Sequence, residues 1–236
     1  MGKIFYIFLF FVFTHYSVPA KGVNLRDDIS YFPFDTLEYY NQKILQNPDN
    51  GINYYARGIM YFHFKDFPNA VLDFTKSIEL KYNCADVYVN RGLAYFNLLN
   101  FNDAISDFTT AIEKKPDFPN AYFNIGLSYF NLKDYKKAES DYKTSISLNP
   151  KSLSIYVNLG VLYKTPGRYN DAITEYNKAL EINPDYANAY YNRGISYKHI
   201  GNYRQTIEDW ETCIKLDSSY EGELRDNIAR LKKKTR

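Results

Sequence analysis

Apolar and aromatic residues recur along this chain at a fixed spacing from about residue 51 to residue 218. A glycine returns every 34 residues, with a tyrosine four positions before it and another tyrosine three positions after it. These glycines are Gly58, Gly92, Gly126, Gly160 and Gly194. A period of this length is typical of a repeat protein in which each unit is one supersecondary motif.

The residues within each period predict two helices joined by a turn. Aromatic residues follow the glycine by nine and by sixteen positions, as Phe101 and Phe108 follow Gly92, and Ala104 lies between them. Apolar residues three and four positions apart give each helix one buried face. Asn-Pro or Lys-Pro steps close most periods, where one helix ends before the next begins. A single unit cannot cover its own apolar face, so neighbouring units must do so.

This order of aromatic residue, glycine, tyrosine, alanine, aromatic residue and proline resembles the tetratricopeptide repeat (TPR) family. The resemblance implies an all-α fold, a right-handed superhelical solenoid of antiparallel helix pairs. It covers five full units, at residues 51–84, 85–118, 119–152, 153–186 and 187–220.

Shorter segments flank the five units. Residues 33–50 align with the second helix of a unit and predict a partial repeat helix. Residues 221–236 predict a capping helix with a basic tail, because Leu224, Ile228 and Leu231 have the spacing of a buried helix face.

The N-terminus has the three regions of a secretory signal peptide: a basic residue at Lys3, an apolar run that ends at Phe13, and a small residue at Ala20. The apolar run is too short to span a bilayer. We therefore predict a signal peptide at residues 1–20, a linker at residues 21–32, and a mature chain with no integral membrane span. The expected location is the periplasm or the extracellular space, with a eukaryotic secretory lumen and an uncleaved anchor as the alternatives.

Charge and motifs exclude several classes of function. The 29 Lys and Arg residues nearly balance the 27 Asp and Glu residues, so the bulk charge does not indicate nucleic-acid binding. The sequence contains no Gly-rich phosphate loop, no Cys/His cluster with metal-ligand spacing and no nucleophile elbow. His63 and His199 lie four periods apart, too far to share a site. We therefore predict a non-enzymatic protein without a cofactor or a metal site.

The cysteines and the closely spaced acidic residues are predicted to have structural roles and no catalytic one. Cys84 and Cys213 belong to distant units, so we expect no disulfide, with Cys213 buried and Cys84 exposed. Closely spaced acidic residues, such as Glu139 with Asp141 or Asp209 with Glu211, are expected on solvated helix faces because they point in different directions.

A candidate binding surface follows from the first helices of the units, which are expected to line a concave groove. Two positions before the glycine stand four asparagines, the asparagine ladder: Asn90, Asn124, Asn158 and Asn192. An asparagine amide can both donate to and accept from a peptide backbone, which suits an extended polypeptide. The resemblance implies that some family members hold peptides in this way. Asparagine is also the common residue at this position of the family, whether or not a peptide is bound.

The neighbours of the ladder would supply specificity. They lie three positions before or four positions after the glycine, and the candidates are Tyr55, Phe62, Phe96, Phe123, Phe130, Lys164, Tyr191 and Lys198. The groove is thus expected to be aromatic at its start and basic at its end. Packing between units is the alternative role for these aromatic residues.

These observations predict a protein–protein interaction scaffold that binds an extended polypeptide segment in the groove. One alternative is a glycan-binding envelope or matrix protein that stacks sugar rings on Tyr55, Phe62, Phe96 and Phe123. Another is an accessory subunit of an enzyme complex. The basic tail could contact an anionic surface, through Arg225, Arg230, Lys232, Lys233, Lys234 and Arg236.

Overall fold

The structure, a computed structural model, describes residues 35–235. The predicted signal peptide, the predicted linker and Arg236 lie outside the described residues. Within them the chain forms α-helices and one short 3-10 helix and no strand, and consecutive helices form antiparallel pairs. The predicted all-α fold of paired helices is confirmed. The described chain divides into two compact bodies, one ending at Asn83 and the other beginning at Cys84.

The first body contains three helices among its described residues, 35–83. They are α1 (Asp35–Gln46), α2 (Gly51–His63) and α3 (Phe67–Glu79). The side chain of Asn50 caps α2 by accepting a hydrogen bond from the Ile52 N–H. Asp66 caps α3 in the same way, through the Asn69 N–H. Such caps satisfy backbone donors that have no partner within the helix.

The second body contains nine α-helices. They are α4 (Ala85–Asn97), α5 (Phe101–Lys114), α6 (Pro119–Asn131), α7 (Tyr135–Leu148), α8 (Leu153–Lys164), α9 (Tyr169–Ile182), α10 (Ala187–His199), α11 (Tyr203–Leu216) and α12 (Glu221–Lys234). The closest packing joins α4 to α5, α6 to α7, α8 to α9 and α10 to α11. Helices α4, α6, α8 and α10 are therefore the first helices of four successive units.

Each helix pair packs at the repeated glycine, where the ring sixteen positions later lies against the glycine Cα. A Cβ added to Gly92 would lie 2.8 Å from the Phe108 ring, and one added to Gly160 would lie 2.5 Å from the Tyr176 ring. The rings of Phe108 and Tyr176 are fully buried. The glycine thus allows the two helices of a unit to approach closely.

The turn inside each unit has one residue in the left-handed region, seven positions after the repeated glycine. Lys65, Leu99 and Lys133 adopt φ values of 62°, 63° and 63°, while Gly167 and Gly201 occupy the equivalent positions with φ of 88° and 79°. A residue in this region ends a helix readily but is strained unless it is glycine.

The C-terminal helix α12 covers the last repeat. Leu224, Ile228 and Leu231 are buried in one cluster with Trp210 and Cys213. Their spacing is the one from which the sequence predicts a buried face. Both cysteines are free thiols; Cys84 is exposed and Cys213 is buried, as predicted.

Candidate functional site

The asparagine ladder lies on α4, α6, α8 and α10, and its members differ in burial. Asn90 and Asn192 are buried, whereas Asn124 and Asn158 are half-buried. Only the second pair therefore keeps part of the side chain open to a ligand.

Asn192 and Lys164 are predicted site residues that the structure brings together. The Lys164 Nζ donates a hydrogen bond of 2.7 Å to the Asn192 Oδ1. The Asn192 Nδ2 donates in turn to the Asn188 carbonyl at 2.9 Å and to the Asn188 Oδ1 at 3.0 Å. Both ends of the Asn192 amide thus have partners. Burial of the ammonium group lowers the pKa of Lys164 to about 8, because a charged group is poorly stabilised away from water.

Asn124 and Asn158 have amide groups with remaining hydrogen-bonding capacity. The Asn158 Nδ2 donates to the Ser154 carbonyl at 2.8 Å, one turn earlier in α8. Its Oδ1 accepts no hydrogen bond from residues 35–235. The Asn124 amide makes no side-chain hydrogen bond within the same range. The two asparagines in the middle of the ladder can therefore still form hydrogen bonds with the backbone of a ligand.

Several aromatic candidates belong to the packed interior. Phe96 and Phe123 are buried members of the core of the second body. Phe96 packs against Phe101 with ring centroids 5.3 Å apart, and Phe123 packs against Tyr142 at 5.7 Å. Phe130 is half-buried and partly open. The packing role left open by the sequence thus applies to Phe96 and Phe123.

The two aromatic candidates in the first body, Tyr55 and Phe62, also differ in burial. Tyr55 is buried, and its ring lies 5.9 Å from that of Phe74 and 5.3 Å from that of Tyr82. Phe62 is half-buried and contacts the ring of Phe67 at 5.3 Å. Phe62 is therefore the more accessible of the two.

At the far end of the ladder, α12 approaches the predicted site. The Tyr191 hydroxyl donates to the Glu223 Oε1 at 2.7 Å, and its ring lies 5.0 Å from the ring of Tyr220. Burial raises the pKa of Tyr191 above its usual range. Lys198 is exposed, with its Nζ 5.4 Å from the Trp210 ring centroid.

Family models match most of the second body. The tetratricopeptide repeat model matches residues 85–118, 119–152 and 187–220, and a second TPR repeat model matches residues 166–201. The chain belongs to the tetratricopeptide repeat family. Proteins of this family are generally non-enzymatic interaction scaffolds. No curated protein sequence matches the chain significantly.

Solved structures share the TPR fold at low sequence identity. The crystal structure of MamA is 22% identical, with a TM-score of 0.64, over 70% of this chain and 96% of that chain. YrrB, described as a TPR protein with an unusual peptide-binding site, is 19% identical, with a TM-score of 0.63, over 81% and 98%. The C-terminal part of a TPR repeat-containing protein from Cytophaga hutchinsonii is 15% identical, with a TM-score of 0.70, over 84% and 79%. At these identities the likeness establishes the fold.

A recurring ion pair within the TPR units escaped the sequence analysis. It joins an arginine one position before the repeated glycine to an aspartate fifteen positions after it. The pairs are Arg57–Asp73, Arg91–Asp107 and Arg193–Asp209. In the second unit the Arg91 Nε and Nη2 donate to the two oxygens of Asp107 at 2.8 and 2.7 Å. The spacing of arginine and aspartate, repeated in three units, is the signal that could have revealed it.

Asp209 corrects one expectation from the sequence. We expected Asp209 and Glu211 on a solvated helix face, and Glu211 is indeed exposed. The prediction is wrong for Asp209, which is buried. Its carboxylate is satisfied by the guanidinium of Arg193 at 2.7 and 2.9 Å, and such pairing is what allows a charged group to be buried.

Several basic residues of the tail form ion pairs or hydrogen bonds with other residues of the same chain. Arg225 pairs with Glu221 on α12, and the Lys232 Nζ lies 2.6 Å from the Glu211 Oε1. The Lys234 Nζ donates to the Tyr203 hydroxyl at 3.2 Å. Arg230 and Lys233 are exposed. Three of the five basic residues that the structure describes in the tail therefore have intramolecular partners.

Between residues 35 and 235 no helix has the length and apolar character needed to cross a membrane. The same residues contain no group of three or more His, Cys, Asp or Glu side chains placed to hold a metal ion.

Proposed function

We propose that this TPR protein is an interaction scaffold that binds an extended polypeptide along α6, α8 and α10. Membership of the TPR family supports an interaction scaffold, and YrrB, which shares the fold, is described as having a peptide-binding site. The observation that carries the proposal is the half-buried Asn124 amide, which makes no hydrogen bond within residues 35–235. A peptide backbone offers both the donor and the acceptor that this amide needs.

The side chains along the ladder indicate which chemical groups the bound segment should carry. Asn124 and Asn158 would hold backbone groups, while the Lys164 ammonium lies further along the chain of first helices. That ammonium is half-buried beside the neutral amide of Asn192. A carboxylate of the bound segment would be a stronger partner for it than an amide. We therefore propose an extended segment with an acidic group near Lys164.

Energetic considerations limit the affinity. Each hydrogen bond contributes a net of about 0.5–1.5 kcal/mol, whereas association costs about 4–15 kcal/mol. The hydrogen bonds of two asparagines alone cannot offset the cost of association. The bound segment must therefore also contact half-buried apolar residues, of which Phe130 is the candidate nearest in sequence to Asn124.

In the first step of the test, peptides that bind the protein are selected from a displayed library of random sequences. Their affinities are then measured against a variant with both Asn124→Ala and Asn158→Ala. We expect a loss of at least about tenfold, the equivalent of one or two lost hydrogen bonds. The matched control carries Asn102→Ala and Asn170→Ala, which make the same change on exposed second-helix positions. Equal binding by both variants would remove the ladder from the site.

Glycan binding has weaker support than peptide binding. Of the four aromatic residues that sugar rings would use, Tyr55, Phe96 and Phe123 are buried, and a buried ring face cannot stack on a ligand. An accessory role in an enzyme complex stays compatible with a scaffold, since the partner would then be the enzyme subunit.

The proposed location is outside the cytoplasm and rests on the signal-like residues 1–20. Sequencing the N-terminus of the protein taken from its native cell tests this proposal. We expect a mature chain that begins near Lys21, and an intact Met1 would contradict cleavage.

Contact of the basic tail with an anionic surface is also a proposal, and the exposed residues Arg230 and Lys233 would make that contact.

A further inference from the structure

The arginine–aspartate pairs show what kind of side chain fits between the two helices of a unit. In the second unit the Arg91 guanidinium lies 5.7 Å from the Tyr88 ring and 5.9 Å from the Tyr95 ring. It also donates to both oxygens of Asp107. Equivalent tyrosines flank Arg57 and Arg193. Two rings and one carboxylate thus form a recurring receptor for a guanidinium group.

The unit of residues 119–152 has this receptor without its arginine. Tyr122, Tyr129 and Asp141 occupy the same positions relative to Gly126, but Ile125 stands where the other units have arginine. These residues line one cleft of about 430 Å³ between α5, α6 and α7, which we call the Asp141 cleft. Its volume is in the range of small-ligand sites.

No partner within the described chain neutralises Asp141. Between residues 35 and 235 its carboxylate makes no hydrogen bond or ion pair. The other charged residue of the cleft is Lys137, whose Nζ lies 4.9 Å from the Tyr129 ring centroid and is paired with Asp134 at 3.0 Å. Burial without a partner raises the pKa of Asp141 to about 6.

The next unit has the same replacement but supplies its own cation. There Leu159 takes the place of arginine and Glu175 the place of aspartate. The Lys178 Nζ lies 2.9 Å from the Glu175 Oε1. The residue equivalent to Lys178 in the preceding unit is Thr144, which carries no charge. The Asp141 cleft therefore differs from all four other units in having no cation on its carboxylate.

We propose that the Asp141 cleft binds an arginine side chain from a partner polypeptide, in the position that Arg57, Arg91 and Arg193 occupy in their own units. The two oxygens of Asp141 would accept the guanidinium fork, and the rings of Tyr122 and Tyr129 would flank its plane. Ile105 and Ile112 on α5 provide apolar surface for the aliphatic stem.

This site is separate from the asparagine ladder. Tyr122, Ile125 and Tyr129 lie on one face of α6, and Asn124 projects from another, because successive helix residues are about 100° apart. A partner could therefore use the cleft alone or together with the ladder. Arginine binding in the cleft does not require peptide binding along the first helices.

The test is titration of the peptide acetyl-Gly-Arg-Gly-amide into the isotope-labelled protein, with NMR signals of Tyr122, Tyr129 and Asp141 as the readout. We expect saturable shifts. The same peptide with citrulline, which has the shape of arginine without its charge, should bind at least about tenfold more weakly. The lysine peptide should also bind more weakly, because an ammonium group cannot form the fork.

Two variants and one control decide the assignment. Asp141→Asn removes the carboxylate, and Ile125→Arg fills the cleft with the side chain that three other units carry; both should abolish the shifts. Asp117→Asn makes the same change of charge at an exposed position and should leave binding unchanged. Binding that is absent in the wild-type protein, retained in Asp141→Asn, or equal for arginine, lysine and citrulline would overturn the proposal. If Ile125→Arg fails to fold, Asp141→Asn decides alone.

Discussion

The ring of Trp210 lies directly against the Cα of Gly194. A methyl group added to Gly194 would lie 2.5 Å from both Cδ1 and Nε1 of the indole. The indole cannot move away freely, since it is buried and its Nε1 donates to the Tyr191 carbonyl at 3.2 Å. The contact between glycine and aromatic ring occurs in all five units and fixes the distance between their helices.

Gly126→Ala should therefore destabilise the protein. Its new Cβ would lie 2.7 Å from the Tyr142 ring, which is fully buried, and 3.3 Å from the Ala138 carbonyl oxygen. Overpacking of this kind costs about 1–3 kcal/mol of the free energy of unfolding, measurable by urea denaturation. Gly222→Ala is the control, because nothing lies within 4 Å of its Cβ. Equal stability of the two variants would contradict this account of the packing.

The left-handed turn position provides a second prediction. Gly201 has φ of 79° and no atom within 4 Å of an added Cβ, so Gly201→Ala tests the backbone alone. We expect a loss of about 1 kcal/mol. Lys133→Gly, at the equivalent turn with φ of 63°, should leave the stability unchanged or raise it by up to about 1 kcal/mol. A loss of stability in Lys133→Gly would show that the lysine side chain contributes more than the backbone strain costs.

The Arg91–Asp107 pair should contribute strongly to stability because it is shielded from water. The side chains of Arg91 and Asp107 are only 17% and 6% exposed. Asp107→Asn leaves a partly buried guanidinium without its counterion, and we expect a loss of roughly 2–4 kcal/mol. Asp103→Asn, an exposed position on the same helix, should change the free energy of unfolding by less than about 0.5 kcal/mol. Similar losses in the two variants would mean that the pairing is not responsible.

The sequence predicts the fold of this protein more completely than its candidate site. The 34-residue period determines where the helices pair, because Gly58 and Gly92 must each meet a ring sixteen positions later. The asparagine ladder can be placed on the first helices in the same way. The sequence could not show that Lys164 hydrogen-bonds to Asn192, since this contact joins different units and depends on the exact packing of α8 and α10. Nor does a period reveal whether a ring such as Phe96 points into the core or into a groove.

The Asp141 cleft was missed for a related reason. Periodicity draws attention to what recurs, whereas this site arises where a recurring arginine is replaced by Ile125. We expected Asp141 on a solvated helix face, because taken alone it resembles any acidic residue on a helix, whereas in the structure it is half-buried. Its significance depends on Asp107 and Asp209, which pair with arginines in their own units. A comparison of the units position by position for charge, in addition to apolar character, would have found the difference.

The half-buried carboxyl group of Asp141 makes the stability depend on pH. Its pKa is raised from 3.8 to about 6 by burial. Between these values the unfolded chain loses the proton and the folded protein keeps it, so the contribution of Asp141 to the free energy of unfolding should fall as the pH rises from about 4 to about 6. Above that range the carboxylate is ionised in both states, and the whole cost of burying its charge is present.

Asp141→Asn removes this cost and should stabilise the protein at pH 7. Because Asp141 is only half-buried, we expect a gain of about 1 kcal/mol, less than its full pKa shift would give. The gain should shrink as the pH is lowered and vanish near pH 4, where the aspartate is neutral in both states. Urea denaturation at pH 4 and pH 7 measures the difference, with Asp117→Asn as the exposed control. A gain of equal size at both pH values would show that the amide improves packing and that the charge of Asp141 is not the cause.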